Sequence, residues 1–406
     1  MERESTRHGD PTRRDYVKCG GTIVGGGLLA GCTAGSEDSP ASAEAGMETE
    51  PTSTGETDTT YEACIEPAGC LTLEEAPETW MALTGPWADM AIALGQREGF
   101  EPAGWYPPAY FFDRVGVSMP TNVPSPLSGS GWDKELFYEL DADVVLCDPN
   151  YLHASGFDGS WSESDTQELA DNVGPFFGNN IVRRREFHTY ELPSLYEAFD
   201  RLADLFRERE RYDEFTAVAE EMRTELESRL PVESERLEIG LVNFGSVPSD
   251  GTFYPMAVSG EGVEMKQYRD LGVTSAFSDE DVGGEIDYER LLEVDPEIIV
   301  IHSGVRLTTA DGEFDGQAFV DQFVTPIVEH PVGSRLTAAK ERTIYPGGSF
   351  QQGPITNLFQ TELAARQLVP AEFGEFDPER FPDVPEDERL FDRQRVADIV
   401  DGVFSR

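Results

Sequence analysis

Positive charge is scarce in this sequence. The 406 residues include 31 lysines and arginines against 78 aspartates and glutamates, for a net charge of -47. Only four lysines occur (Lys18, Lys134, Lys266, Lys340), and no basic stripe is available to neutralise phosphates, which excludes nucleic-acid binding. The 24 Phe, 13 Tyr and 5 Trp indicate a folded core with carboxylates on its surface. Such a surface predicts a halophilic protein, from a haloarchaeon, because concentrated salt screens its self-repulsion.

Motifs for catalysis and metal binding are also missing. No G-x-x-x-x-G-K-[ST] or G-x-G-x-x-G loop follows a predicted strand, and no zinc-ligand spacing is visible. The histidines beyond residue 31 are widely separated (His153, His188, His302, His330), so we expect no metal site and no intrinsic cofactor. One alternative is a surface enzyme or redox protein that uses His153 or His302. Because no nucleophile–base–orienter set accompanies either residue, we do not expect an enzyme.

Long apolar runs are absent, including at the N-terminus. The arginine pair of "TRRDYVK" (12–18) precedes about eleven weakly apolar residues in "GGTIVGGGLLAGC" (20–32), where a membrane span needs roughly 20. This order predicts a twin-arginine signal over residues 1–31. The final "LAGC" resembles a lipobox, in which Cys32 is lipidated; the alternative is a short buried segment with a chance cysteine. Residues 32–70 are predicted to be a flexible acidic stalk.

Cysteine is rare, with five in the whole chain. Cys64 and Cys70 form a close pair in an exported context, which is consistent with a disulfide or with two reduced cysteines. Cys147 lies in the aliphatic run "DVVLCD" and is predicted to be a buried structural residue.

What the sequence does contain is an alternation of short apolar runs and amphipathic helical segments. The runs "WMALTG", "DVVLCD", "LEIGLVNFG", "EIIVIHSG" and "RTIYPGG" predict parallel strands with helices on both faces, and therefore an α/β fold. They form two series, which predict an N-terminal lobe over residues 71–192 and a C-terminal lobe over residues 231–406. Between them, apolar residues recur every three or four positions and predict one bridging helix over residues 193–230, about 55 Å long. Two helices broken near residues 208–211 are the alternative.

One helix–strand unit occurs twice, once in each lobe. The segments are "DKELFYELDADVVLCDPN" (133–150) and "DYERLLEVDPEIIVIHSG" (287–304), and their acidic residues align through the first nine positions. The order of signal, lipobox, stalk, α/β lobe, long helix and α/β lobe resembles the substrate-binding proteins of ABC importers for iron-siderophores, haem and cobalamin. The resemblance implies two Rossmann-like lobes with a ligand cleft between them. It also implies that Glu135 and Glu289 dock onto the permease, although Ala142 and Glu297 depart from the family motif.

The resemblance further implies a monomeric receptor, lipid-anchored on the extracellular face of the cell membrane, which serves ABC permease and ATPase subunits. We expect an Fe(III) chelate of the siderophore type as its ligand, with cobalamin or haem as the alternative. Aromatic residues beside Gly and Pro in the loops after strands suit a large, partly apolar ligand. An arginine of "RRR" (183–185) could pair with an anionic chelate or only neutralise nearby carboxylates. The predicted ligand-binding residues are Trp87, Tyr106, Tyr110, Tyr151, His153, Arg184, Tyr254, Arg306 and Phe350.

Overall fold

A disulfide-linked hairpin opens the part of the chain that the structure describes. The computed structural model describes residues 60–120, 123–129, 131–231 and 237–404. The predicted signal, the predicted lipidation site Cys32 and most of the predicted stalk lie outside these residues. Strands β1 (Tyr61–Ile65) and β2 (Gly69–Leu73) pair antiparallel, with Cys64 directly opposite Cys70 and bonded to it. The disulfide alternative is therefore confirmed.

The hairpin corrects the predicted stalk, which extended to residue 70. Ala63 and Ile65 are buried, and the Tyr61 hydroxyl donates to the carbonyl of Leu205, 2.6 Å away. The alternation of buried and exposed residues along β1 lets one face of the hairpin pack on the folded body. Residues 60–70 therefore belong to the folded part of the chain.

The N-terminal lobe is built on parallel strands. Its described elements are β3 (Trp80–Ala82), α1 (Gly85–Ala93), α2 (Ala109–Asp113), β4 (Leu127–Ser128), β5 (Gly131–Trp132), α3 (Lys134–Leu140), β6 (Val144–Leu146), α4 (Pro149–Ala154) and α5 (Glu163–Asn172). Strands β3 and β6 pair in parallel, and single parallel bridges extend this pair through Phe100 on one side and Phe176 on the other. β4 and β5 form a short antiparallel pair.

Two helices, not one, connect the lobes. Helix α6 (Leu195–Phe206) ends at Arg207, which has left-handed backbone (φ 57°), and α7 begins two residues later (Arg209–Arg229). The Phe199 ring of α6 packs against Tyr212 and Phe215 of α7, with centroids 5.2 and 5.6 Å apart. The prediction of one continuous helix was therefore wrong, and the two-helix alternative is correct. α7 alone, with 21 residues and a length of about 31 Å, is the long helix of the fold.

The C-terminal lobe contains a four-stranded parallel sheet in the order β10-β9-β7-β8. Its described elements are β7 (Glu238–Asn243), α8 (Lys266–Asp270), β8 (Thr274–Ser275), α9 (Tyr288–Val294), β9 (Ile299–His302), α10 (Gly316–Phe319), α11 (Thr325–Glu329), α12 (Thr337–Glu341), β10 (Ile344–Pro346), α13 (Pro354–Leu368), α14 (Pro370–Phe373) and α15 (Arg393–Val400). A π-helical turn, Val320–Val324, joins α10 to α11. No helix among the described residues is long and apolar enough to cross a membrane.

Helix α13 ties the two lobes together. All 15 of its residues are buried, and its N-terminus is capped from the N-terminal lobe by Asp89 of α1. The Asp89 carboxylate accepts hydrogen bonds from the backbone N–H groups of Gly353, Ile355 and Thr356 at 2.9–3.1 Å. Complete burial raises the pKa of Asp89 to about 6. The described residues consequently form one compact unit.

The repeated sequence unit is also a repeated structural unit. Helices α3 and α9 each have seven residues, and each begins with an aspartate, Asp133 or Asp287, whose side chain accepts a backbone N–H three residues later. Each ends at an aspartate in the left-handed conformation, Asp141 (φ 44°) or Asp295 (φ 47°). The strands β6 and β9 follow, so each lobe holds one copy of the unit.

Candidate interlobe binding site

The two sheets bring the loops after their strands together. The backbone N–H of Gly85, which follows β3, donates to the Gln351 side chain after β10 over 2.6 Å. The Tyr110 hydroxyl donates to the carbonyl of Val305, after β9, over 2.7 Å. In parallel α/β folds ligands bind at the carboxyl ends of the strands. The candidate site therefore lies between the lobes.

A buried polar cluster crosses this boundary. Glu264 of the C-terminal lobe accepts from Arg183 of the N-terminal lobe at 2.5 Å and lies 3.0 Å from Nε2 of His302. Backbone N–H groups of Val263 and Glu264 donate to the carbonyls of Ile181 and Val182 on the opposite lobe. The side chains of Glu264 and His302 are only 5% and 3% exposed, so their interaction is poorly screened by solvent.

A buried carboxylate holds the segment that carries the arginines. Asp148, the second residue after β6, accepts from the backbone N–H of Asn180 at 3.0 Å and from the Tyr190 hydroxyl at 2.6 Å. These two bonds fix both ends of the segment that contains Arg183 and Arg185. Burial raises the pKa of Asp148, while its hydrogen bond from Tyr190 acts in the opposite direction.

Several hydrogen-bonding atoms of the cluster have no partner among the described residues. They are Nε of Arg183 and Arg185, Nδ1 of His302 and Oγ of Ser303. Ser303 also has left-handed backbone (φ 65°), which is uncommon for a residue other than glycine. Burial, and then the charge of Arg183, lowers the pKa of Arg185. Because unpaired buried polar atoms cost roughly 1–3 kcal/mol each, a ligand rich in oxygen acceptors would be stabilised here.

Aromatic rings extend from the N-terminal core towards the arginines. Trp105 contacts Trp132, Trp132 contacts Tyr151, and Tyr151 contacts Phe157, with centroids 5.6–6.1 Å apart. Phe157 is 47% exposed, whereas Tyr151 is buried. Burial raises the pKa of Tyr151, while the charges of Arg185 and Arg183 oppose the shift, so these groups lie within electrostatic range.

The two glutamates of the repeated unit are exposed at matched positions. Glu135 is the second residue of α3, and Glu289 is the second residue of α9. Neither side chain has a hydrogen-bond or ion-pair partner within the part of the chain that the structure describes. Each is free to contact another molecule.

Comparison with solved structures identifies the architecture. A periplasmic binding protein from Veillonella parvula matches 76% of this chain and 97% of its own, with 13% identity and a TM-score of 0.53. The iron uptake ABC transporter substrate-binding protein PiuA from Streptococcus pneumoniae matches 76% of this chain and 99% of its own, with 18% identity and a TM-score of 0.50. A periplasmic solute binding protein from Mycobacterium smegmatis matches 77% and 98%, with 12% identity and a TM-score of 0.51. The chain shares the fold of periplasmic binding proteins.

The shared fold is detected through structure and not through sequence. No protein-family model matches the chain, and no curated protein matches it by sequence. The predicted α/β architecture of two lobes and a long connecting helix is confirmed in this binding-protein fold, with α7 as the long helix.

The polar atoms of three predicted aromatic contacts are already hydrogen-bonded within the protein. Trp87 is 1% exposed, and its indole N–H donates to a buried backbone carbonyl. Tyr110 is fully buried, with its hydroxyl bonded to Val305. The hydroxyl of Tyr106 is bonded to the backbone of Ala103. For Trp87 and Tyr110 the prediction was wrong, because their rings belong to the core and their polar atoms are already satisfied.

The structure does not bring the predicted arginine of the "RRR" run to the interlobe cluster. Arg184 is 46% exposed and pairs with Glu261 on the surface. Its neighbours Arg183 and Arg185 enter the interlobe cluster, because successive side chains of a non-helical segment point to different sides. Glu264 was missed altogether, since nothing in the sequence distinguishes it among the 78 acidic residues.

The remaining predicted residues have different surroundings. Arg306 lies over the ring of Phe350, 5.7 Å from its centroid, at the ends of β9 and β10, so the structure brings this pair together. Nδ1 of His153 lies 3.1 Å from the hydroxyl of Thr166 in its own lobe. Tyr254 is exposed and bonded to Glu285.

The arrangement around His302 does not form a catalytic set. Its Nε2 is bonded to Glu264, and neither its Nδ1 nor the Ser303 hydroxyl has a partner among the described residues, so no nucleophile–base hydrogen bond exists there. Within the described ranges, no group of three or more His, Cys, Asp or Glu side chains could hold a metal ion. The cluster instead joins Arg183 of one lobe to the Glu264–His302 pair of the other.

Proposed function

We propose that this chain is the extracellular, lipid-anchored, non-enzymatic substrate-binding protein of an ABC importer. It captures a ferric siderophore and delivers it to the permease and ATPase subunits. The observation that carries this proposal is the convergence of Arg183 and Arg185 between the lobes of a binding-protein fold, in a chain with a net charge of -47. Cationic donors in so acidic a protein are suited to an anionic ligand.

Ligand capture would use the two walls of the site together. Oxygen atoms of the chelate would accept from Arg185 and from the free Nε of Arg183, while the exposed ring of Phe157 would cover its flat apolar surface. Glu264 keeps its contact with His302 when Arg183 turns to the ligand, which limits the cost of leaving a buried carboxylate unpaired. The Fe(III) ion travels as part of the ligand and needs no protein ligand.

A titration with matched arginine variants tests the proposed site. Ferric hydroxamates, ferric catecholates, haem and cobalamin are titrated at molar salt while tryptophan fluorescence is followed. Arg185→Gln should weaken binding of a ferric chelate by at least about tenfold, because a charged hydrogen bond is lost. The adjacent exposed Arg184→Gln should bind as the unaltered protein does. A response to cobalamin or haem alone, or equal effects of the two variants, would overturn the assignment.

Delivery would depend on Glu135 and Glu289, one docking acid per lobe. At molar salt the Debye length is about 3 Å, so these carboxylates would act through direct contact and set register more than affinity. Replacing both with alanine should abolish uptake and leave ligand binding intact. The control replaces Glu139 and Glu293, which occupy matched exposed positions in the same two units. Loss of ligand binding in the first variant, or of uptake in the control, would contradict the docking roles.

Anchoring at Cys32 is tested separately. Cys32→Ala should shift the exported protein from the membrane fraction to the medium, because a lipid chain supplies the membrane affinity. Membrane retention of this variant would argue against lipidation at that residue, without bearing on ligand binding.

A further inference from the structure

A cavity lies apart from the interlobe cluster, between α7, α8 and α13. Its volume is about 260 Å³, and Met222 and Leu226 of α7 and Leu358 of α13 supply apolar wall. At about 30 Å³ per water molecule, this space holds roughly eight or nine water-sized groups. It therefore suits a small organic molecule more than a single ion.

Two hydroxyl groups that line this cavity are unpaired. Thr361 is 3% exposed, and its hydroxyl has no hydrogen-bond partner among the described residues. The Tyr196 hydroxyl likewise has none in the described part of the chain. Burial, and then the charge of Asp270, raises the pKa of Tyr196, so this phenol remains a neutral donor. Both hydroxyls would gain from a polar ligand.

The charges around the cavity are balanced. Lys266 and Asp270 on α8 form an ion pair of 2.5 Å, with side chains 17% and 26% exposed. The Lys266 ammonium also lies 5.5 Å from the centroid of the Tyr196 ring. Glu220 and Arg223 complete the charged lining, one of each sign. In a chain of net charge -47, this balance disfavours a simple cation as the occupant.

We propose that the cavity binds a small zwitterion, an α-amino acid with a short apolar side chain. The ligand carboxylate pairs with Lys266 and accepts a hydrogen bond from the Tyr196 hydroxyl, and the ligand ammonium pairs with Asp270. Lys266 and Asp270 therefore each exchange their present partner for a charged group of the ligand. The apolar side chain of the ligand packs against Met222 and Leu226. None of these residues belongs to the interlobe cluster, so the proposal does not depend on the function proposed above.

Calorimetric titration of the mature protein with leucine at molar salt tests the proposal. Two analogues each retain one charge: 3-methylbutylamine lacks the carboxylate, and 4-methylpentanoate lacks the amine. We expect saturable one-to-one binding of leucine and affinities at least about tenfold lower for both analogues. Absence of saturation at millimolar leucine, or equal binding of an analogue, would overturn the zwitterion site.

Variants assign the binding to this cavity. Lys266→Met keeps the length of the side chain and removes its charge, and should weaken leucine binding by at least about tenfold. Lys340→Met, on the surface helix α12, is the matched control and should leave the affinity unchanged. Tyr196→Phe removes the hydroxyl assigned to the ligand carboxylate, keeps the ring, and provides an independent reading if Lys266→Met fails to fold. Unchanged leucine affinity in a folded cavity variant would place the binding elsewhere and refute the proposal.

Discussion

Asp89 gives the chain a pH dependence whose size follows from its position. Its carboxylate is fully buried at the N-terminus of α13, and burial raises its pKa from an ordinary value of 3.8 to about 6. In the unfolded chain the same carboxyl has its ordinary pKa of 3.8, so it loses its proton at a lower pH than in the folded chain. Between these values the folded state therefore binds more protons than the unfolded state, and stability falls as pH rises through the folded pKa.

The magnitude follows from the shift. Each pKa unit corresponds to about 1.4 kcal/mol, so Asp89 should make the free energy of unfolding about 3 kcal/mol smaller above pH 6 than below pH 4. Asp89→Asn has nearly the same shape and does not titrate, so it lacks this contribution. The free energy of unfolding of Asp89→Asn minus that of the unaltered protein should rise by about 3 kcal/mol between pH 3 and pH 7.

Chemical denaturation across this pH range at constant molar salt, followed by tryptophan fluorescence, measures the difference. Subtracting the two proteins removes the contribution of the other carboxylates. Asp213→Asn, on the exposed face of α7, removes the same charge and should show a flat difference. A flat or falling difference for Asp89→Asn would refute the reasoning. It would mean that the three N–H bonds from α13 stabilise the carboxylate more than burial destabilises it.

Further predictions concern stability and the interlobe contact. Replacing Cys64 and Cys70 with alanine should lower the free energy of unfolding by about 2 kcal/mol, as expected for a short closed loop; a change near zero in denaturation would contradict this. Arg342→Gly should raise the melting temperature through a gain of about 1 kcal/mol, because Arg342 has left-handed backbone (φ 61°); a lower melting temperature would contradict this. Gly262→Ala should destabilise the protein by at least about 2 kcal/mol and weaken ligand binding. Gly262 has φ 93°, and an added Cβ would lie 2.5 Å from the carbonyl oxygen of Val182. Unchanged ligand affinity in titration would show that this loop does not belong to the site.

The bend between α6 and α7 shows that the spacing of apolar residues predicts helices but does not predict where one helix ends and the next begins. Apolar spacing predicted helix on both sides of Arg207 correctly, because each helix buries one stripe. The same spacing would continue through a straight helix, so it could not reveal that Phe199 packs back onto Tyr212 and Phe215. Ring burial between the two helices decided the geometry.

The site was predicted less well than the fold. Tyr151 and the arginine run at 183–185 were singled out from sequence, and the structure brings Tyr151 within range of two of those arginines. The local backbone decides which of the arginines enters the interlobe cluster. The contact between Glu264 and Arg183 forms only when the two lobes pack together. Trp87 and Tyr110 were misassigned because a loop rich in Gly and Pro can still fold its aromatic rings into a core.

The sequence by itself determined the α/β class, the two-lobe order and the duplicated helix–strand unit. These follow from local patterns: alternating strand and helix periods, capping aspartates and acids at constant offsets. Only the tertiary structure decided which arginines enter the interlobe cluster, where the connecting helices bend and that a cavity forms beside Lys266. Such features depend on residues far apart in the chain, as with Arg183 and Glu264, which are separated by 81 positions. Local preference carries no information about contacts of that kind, because they exist only after the lobes have packed.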